Sequence, residues 1–475
     1  MAIADWAQDV SRGISRAVED AQEGVGELFE PVIRLGVTGL SRAGKTVFIT
    51  SLVANLLERG RMAQLSAQSA GRIQQVYLQP QPDDTIPRFD IEGHLDALHA
   101  DPPRWPASTR AISQLRLSLR LRPENWILGL AGERVVHLDI VDYPGEWLLD
   151  LPLLDKSYAD WSAEALRAAQ SPARAGLAET WLRQMTGTDP AARLDEPAAQ
   201  ALAEAFRGYL RAGKEAGLSD LAPGRFLMPG DMEGAPALTF APLPPAPQAR
   251  SGSILRAFER RFEAYKRSVV QPFFRDHFAR LHRQVVLVDV LDALHGGPRA
   301  IADLKTAMAE ILTCFKTGRN GWLAPILGTK VDRILICATK ADHLHHGQHD
   351  RLADITQALL TEARQRAKYH GAQTAAMAIA SLRATVEQEI THDGAPLGMV
   401  RGTLQETGRE AALHPGDLPE APDEVLRDAG DGLEGWRAGA YGVMRFAPPR
   451  LASRAAGPPH IRLDRALEFL IGDKL

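Results

Sequence analysis

An α/β fold with a mixed, mostly parallel sheet is predicted by three observations. Apolar runs that read as buried strands alternate with longer segments of helical periodicity. Three of those runs end directly in loops rich in glycine, acidic or small residues. Two runs, 112–121 and 135–141, are close in sequence and read as an antiparallel edge pair in an otherwise parallel sheet. With 475 residues, the chain should form two or three domains or one enlarged domain.

The elements follow in order. Trp6, Val10, Ile14, Val18, Ala21, Val25 and Leu28 share one helical stripe, opposite Asp9, Glu19, Asp20, Glu23 and Glu27. Segment 1–30 therefore reads as an amphipathic helix packed on the protein's own surface or on a partner. Peripheral membrane contact is the second reading, since a membrane-surface helix would usually be basic where this one is acidic. Residues 32–38 form a buried strand, and Phe48, Ile49, Leu52, Val53 and Leu56 recur at helical spacing behind it. An irregular stretch spans about 60–110. Residues 112–121 alternate as a half-exposed strand, Arg122-Pro123-Glu124-Asn125 is a turn, and 135–141 return as a buried strand.

A helix-rich segment runs from about 148 to 221. From 222 to 253 the composition shifts to Pro and Gly, but Phe226, Leu227, Met228, Leu238 and Phe240 predict packing on the body. A helix at about 255–280, a strand at 284–291, a helix at 298–315 and a strand at 333–338 come next. A helix at 350–367 and a strand at 374–380 follow. Segment 385–459 is broken by Gly and Pro and is expected to hold a small β insertion, and 463–471 form a closing amphipathic helix. The expected division is a core of 31–147 and 284–384, a mainly helical insertion of 148–283, a small insertion of 385–459, and a C-terminal core helix within 460–475.

Three short motifs carry the chemistry. Gly39-Leu40-Ser41-Arg42-Ala43-Gly44-Lys45-Thr46 fits G-x-x-x-x-G-K-[ST] between a strand and a helix. Backbone N–H groups from Ser41 to Val47 can wrap phosphate oxygens, and the helix start adds its positive dipole end. Gly39 and Gly44 permit close approach. Lys45 would reach the β- and γ-phosphates, and the Thr46 hydroxyl would bind Mg²⁺. Asp142-Tyr143-Pro144-Gly145 fits D-x-x-G, and Thr339-Lys340-Ala341-Asp342 fits [NT]-K-x-D. In this order the three predict a pocket for a guanine nucleotide and Mg²⁺.

On these residues the chain resembles Ras-like GTPases, and Leu138-Asp139-Ile140-Val141-Asp142 strengthens the likeness. Taken whole, it resembles the YcjX-like family of bacterial P-loop proteins. The residues behind this are Gly39 to Thr46, Arg104-Trp105-Pro106, Ser108-Thr109-Arg110, Asp142 to Trp147, Pro229-Gly230-Asp231, Ala235 to Leu238, Ala380 to Thr385, and His460 to Leu475. The resemblance implies a P-loop NTPase with a Ras-like sheet and a large helical insertion. It implies hydrolysis of GTP to GDP and phosphate with Mg²⁺, and a general link to stress responses.

Residue roles follow from the resemblance. Asp142 would hold Mg²⁺ through water, and the Gly145 N–H would meet the γ-phosphate. Asp342 would accept from the guanine N1–H and 2-amino group, and Lys340 would lay its stem along the base. Ser381-Leu382-Arg383 stands where GTPases carry S-A-K, as either a contact to guanine O6 or a plain strand end. Thr109 is the candidate magnesium-binding switch threonine, with Ser108 the runner-up and an ordinary strand residue the other reading. Glu146 occupies the place of a water-orienting Gln. Arg42 matches the Gly-Leu-x-Arg-x-Gly-Lys loop of guanylate-binding GTPases, as either an internal arginine finger or a phosphate-steering side chain. Lys45, Arg42, Gly145 and Glu146 form the expected catalytic set.

Other readings are bounded by composition and spacing. The net charge of −4 gives no reason to expect nucleic acid as a partner. No run reaches the length of a spanning helix. Cys314 and Cys337 sit in apolar runs and read as core residues, which suits a cytoplasmic location. An unidentified protein partner is expected on the inserted segments. Asp289, which ends Val285-Val286-Leu287-Val288, is the rival magnesium residue of an ATP-dependent ATPase or small-molecule kinase. A scaffold that binds GTP and barely hydrolyses it is a third reading. His343, His345, His346 and His349 fit no standard metal spacing and read as exposed loop histidines.

Overall fold

The computed structural model describes residues 30–40, 43–107, 111–123, 133–172, 174–218, 221–313, 331–361, 372–420, 444–453 and 456–475. Segment 1–29, Ser41, Arg42, Ser108, Thr109, Arg110, Glu124, Asn125 and Cys314 lie outside the described residues, and the readings placed on them rest on sequence alone.

The main sheet has seven strands: β1 (Val32–Gly39), β2 (Ile73–Gln79), β3 (Ser113–Leu121), β4 (Arg134–Asp142), β5 (Arg283–Val288), β6 (Arg333–Ala338) and β7 (Gln373–Ala378). Their order is β2-β3-β4-β1-β5-β6-β7. β1 lies parallel between β4 and β5, and β6 and β7 continue in parallel. β3 runs antiparallel to β4, with Ser113 opposite Asp142, and β2 is an antiparallel edge. The fold is α/β with a mixed, mostly parallel sheet, and the expected antiparallel pair is present.

The helices are α1 (Lys45–Glu58), α2 (Ile91–His99), α3 (Tyr158–Ala169), α4 (Ala175–Thr186), α5 (Glu196–Glu215), α6 (Ile254–Tyr265), α7 (Gln271–Asp276), α8 (Val290–Gly296), α9 (Pro298–Thr313), α10 (His349–Leu359) and α11 (Leu463–Ile471). Strand alternation sends Leu35, Val37, Val285 and Leu335 to one face, where Phe48, Ile49 and Leu52 of α1 and Leu463, Leu467 and Leu470 of α11 cover them. Val286, Val288, Ile334 and Ile336 point to the other face, which is continuous with the helical segment. That segment has an aromatic interior: Trp161 stacks on Phe262 at 5.1 Å, and Trp181 on Tyr209 at 5.2 Å. Phe226, Leu238 and Phe240 of the Pro/Gly-rich stretch are buried in it, as expected for packing on the body.

Two expectations need correction. The stretch 60–110 is not irregular, because it contains β2 and α2. The β2 apolar residues Ile73, Val76 and Leu78 lose strict alternation at a register shift near Ile73 and Gln75, which hides the period of two. The strand expected at 284–291 ends at Val288, because Asp289 caps α8 by accepting from Asp292 N at 3.1 Å. β8 (Val386–His392), β9 (Ala395–Thr403) and β10 (Glu410–Leu413) form a separate antiparallel sheet. Cys337 is buried in β6, and burial pushes its thiol pKa up. Among the described residues, no helix is long and apolar enough to cross a membrane.

Candidate functional site

A cleft of about 470 Å³ lies at the carboxyl ends of the parallel strands. Gly39, Leu40, Ala43, Gly44, Lys45, Thr46 and Val47 line one side, and Thr339, Lys340, Asp342, Ser381 and Leu382 line another. The strand order makes this meeting: β1 and β6 are separated only by β5, so their trailing loops face one opening.

The loop after β1 ends on Gly44, whose left-handed backbone (φ 77°) caps α1 without a side-chain partner. No acidic side chain occupies the first turn of α1. Its leading N–H groups and positive dipole end therefore meet no anion of that turn. Lys45 Nζ donates to Asp142 Oδ1 across the β1–β4 pair. Asp142 is fully buried, and its Oδ2 has no hydrogen-bond partner among the described residues. Thr46 is buried beside Lys45, and its carbonyl accepts from the Thr50 hydroxyl at 2.8 Å.

Gly145 closes against the same loop. A Cβ there would stand 2.4 Å from the Gly39 carbonyl oxygen, so only glycine fits. Gly145 itself does not line the cleft, while its neighbours Pro144 and Glu146 do. Glu146 accepts from Lys214 Nζ at 2.8 Å.

At the other end, Thr339 is buried and its N–H donates to Val288 O at 2.9 Å. Lys340 adopts a left-handed backbone (φ 60°), uncommon for a side chain of this size, and its Nζ pairs with Asp289 Oδ2. Asp289 thus serves as a helix cap and a partner to Lys340, whereas Asp142 sits beside Lys45. Asp342 is buried, and its Oδ2 accepts from Ala384 N at 2.8 Å. Ser381 and Leu382 line the cleft. Arg383 does not: its N–H donates to Pro459 O at 2.7 Å and its guanidinium reaches Thr385 O and Glu387.

Sequence reasoning missed several cleft residues. Lys214 comes from α5, 68 positions beyond Glu146. Trp105 and Phe446 also line the cleft, joined by a Trp105 Nε1–H bond to Phe446 O at 2.9 Å. Trp105 belongs to a stretch that carried the family resemblance, but nothing local assigned it to the site. The four histidines are not all exposed. His349 is buried with Nε2 3.3 Å from Leu344 O, and His343 meets Phe446 edge-on at 5.2 Å. His346 is exposed, and with His345 and Glu387 it places ligand atoms within 4.8 Å of one another.

Fold and site define an α/β protein with three nucleotide-type motifs, two of them lining one strand-end cleft and the third closing against its glycine-rich loop. Residues 33–475 match the model of the YcjX-like family, DUF463, and the chain belongs to that family. It is 37% identical over 456 residues to a protein of Escherichia coli (strain K12) named Ras-like GTPase YcjX, a match covering 93% of this chain and 96% of that protein. It is 36% identical over 471 residues to a Shewanella oneidensis protein of the same name, covering 93% of this chain and 94% of that one.

Proposed function

We propose that this chain is a P-loop protein that binds guanine nucleotide with Mg²⁺ and hydrolyses GTP to GDP and phosphate. One observation carries the reading: Lys45 and Thr46 stand at one side of a single cleft and Asp342 at another. The names of the two relatives agree with it. Lys45 and the N–H groups leading into α1 hold the β- and γ-phosphates. The Gly145 N–H meets the γ-phosphate. Asp342 accepts from the guanine N1–H and 2-amino group, for which adenine has no counterpart.

The donor set suits a hard divalent cation. Asp142 offers a buried carboxylate oxygen with no partner among the described residues, and the Thr46 hydroxyl stands in the first turn of α1. Mg²⁺ held there supplies positive charge against the phosphate oxygens. The ATP-dependent reading takes Asp289 as the metal residue, but both oxygens of Asp289 are engaged, by the Asp292 N–H and by Lys340, whereas Asp142 keeps one oxygen without a partner among the described residues, which favours Asp142.

Replacing Asp342 with Asn tests the base assignment. The variant should lose GTP affinity and gain affinity for xanthine nucleotides, whose 2-oxo group accepts from the amide. Unaltered preference for GTP over XTP in equilibrium titrations would remove Asp342 from base recognition.

A further inference from the structure

Glu146 stands one residue beyond the D-x-x-G glycine and lines the cleft beside Pro144. A lone carboxylate there would repel a polyphosphate. Glu146 is not alone, because Lys214 Nζ donates to its Oε1 at 2.8 Å and also lines the cleft. Only 10% of the Glu146 side chain and 27% of the Lys214 side chain are exposed. A pair this withdrawn from water is less screened than a surface ion pair. The flanking structure is fastened as well. Trp147 Nε1–H donates to Met228 O at 3.1 Å, and the Arg225 guanidinium lies 3.2 Å from the Trp147 ring centroid. The helical segment therefore grips the backbone that carries Glu146 and supplies its counter-charge.

We propose that Lys214 is a positioning residue for hydrolysis: it fixes Glu146, whose Oε2 accepts a hydrogen bond from the attacking water. This rests on the GTP-hydrolysis reading above. The water oxygen bonds to the γ-phosphorus as the bond from that phosphorus to the β–γ bridging oxygen breaks, and that electron pair leaves with GDP. One water proton passes to a γ-phosphate oxygen, the product is dihydrogen phosphate, and Glu146 ends unchanged. The charges of the pair sum to zero, so the carboxylate stands near the phosphates without net repulsion. Orientation of water is the service a Gln gives in other GTPases. Here a carboxylate does it, steadied from a helix distant in sequence.

Single-turnover hydrolysis with enzyme in excess, read beside GDP affinity and the unfolding midpoint, tests this. Lys214→Met should slow hydrolysis by ~10-fold or more, while the GDP dissociation constant stays within about threefold of wild type. Lys214→Arg should recover most of the rate. Adding Lys214→Met to Glu146→Ala should slow hydrolysis no further than Glu146→Ala alone, because a positioning residue acts only through its partner. Lys214→Gln, held to the same criterion, replaces the Met variant if that variant unfolds early. A wild-type rate in the Met or Gln variant overturns the proposal. So does a loss of GDP affinity as large as the loss of rate. Failure of the underlying reading looks different: the wild type itself then hydrolyses no GTP, or turns over ATP instead, and the proposal falls with it.

Discussion

Lys45 and Asp142 neutralise each other, and this shapes what their substitution does. The Asp142 carboxyl is fully buried and the Lys45 side chain is 12% exposed. Removing the ammonium strands a carboxylate that already has one unpartnered oxygen. Breaking a buried pair from one side costs about 3–5 kcal/mol. Lys45→Ala should therefore lower the unfolding free energy by about 3 kcal/mol without nucleotide, besides abolishing the proposed hydrolysis. Urea unfolding of both proteins checks this, and an unchanged midpoint would mean that Asp142 does not depend on Lys45 for its charge balance. Lys45→Arg keeps the charge and should retain most of the stability.

At the scale of elements, the 3₁₀ run Gly145–Asp155 joins the end of β4 to the helical segment. Its anchor is Asp150, which accepts from Gly224 N at 2.7 Å and from the Tyr265 hydroxyl at 2.7 Å. Burial pushes its pKa up from 3.8 to about 6, against the opposing pull of the Tyr265 and Gly224 hydrogen bonds. A carboxyl raised on folding contributes stability that is full below its unfolded pKa and lost as pH rises through its folded pKa. Asp150→Asn has no such titration. Relative to wild type, the variant should gain stability between about pH 4 and pH 6, by a total on the order of 3 kcal/mol, and then level off. Unfolding midpoints of the two proteins from pH 4 to 8 decide it, and a difference that does not change with pH would contradict the assignment.

The same run marks where sequence reading stops. Asp142-Tyr143-Pro144-Gly145 was legible because the motif's residues are contiguous and follow a buried strand. So were β1, β4, β6 and α11, each with a clean apolar run or stripe. Lys214 was not, since its role depends on a helix 68 positions away that no local period ties to Glu146. Asp289 drew attention as a metal residue because a strand-end aspartate looks alike in both roles. What separates them is that the helix cap and Lys340 together engage both oxygens of Asp289, while one oxygen of Asp142 has no partner among the described residues. β2 is not legible because its register shift breaks the alternation that makes an edge strand visible.

For the whole molecule, one sheet brings Lys45 and Asp342, almost 300 residues apart, to one cleft. The order β4-β1-β5-β6-β7 sets the loop after β1 and the loop after β6 on strand ends separated only by β5. The helical segment and α11 cover opposite faces, so the sheet is held from both sides while its carboxyl edge stays open. In the proposed function selectivity falls largely to Asp342, since the phosphates and ribose are common to GTP and ATP. A charged acceptor facing two donors is worth about 1.5–3 kcal/mol for each hydrogen bond. Equilibrium affinities for GTP, GDP, ATP and ADP, measured side by side with Mg²⁺, test the central claim most directly. The guanine nucleotides should bind at least ~100-fold more tightly than their adenine counterparts, whereas ATP binding as tightly as GTP would contradict the account.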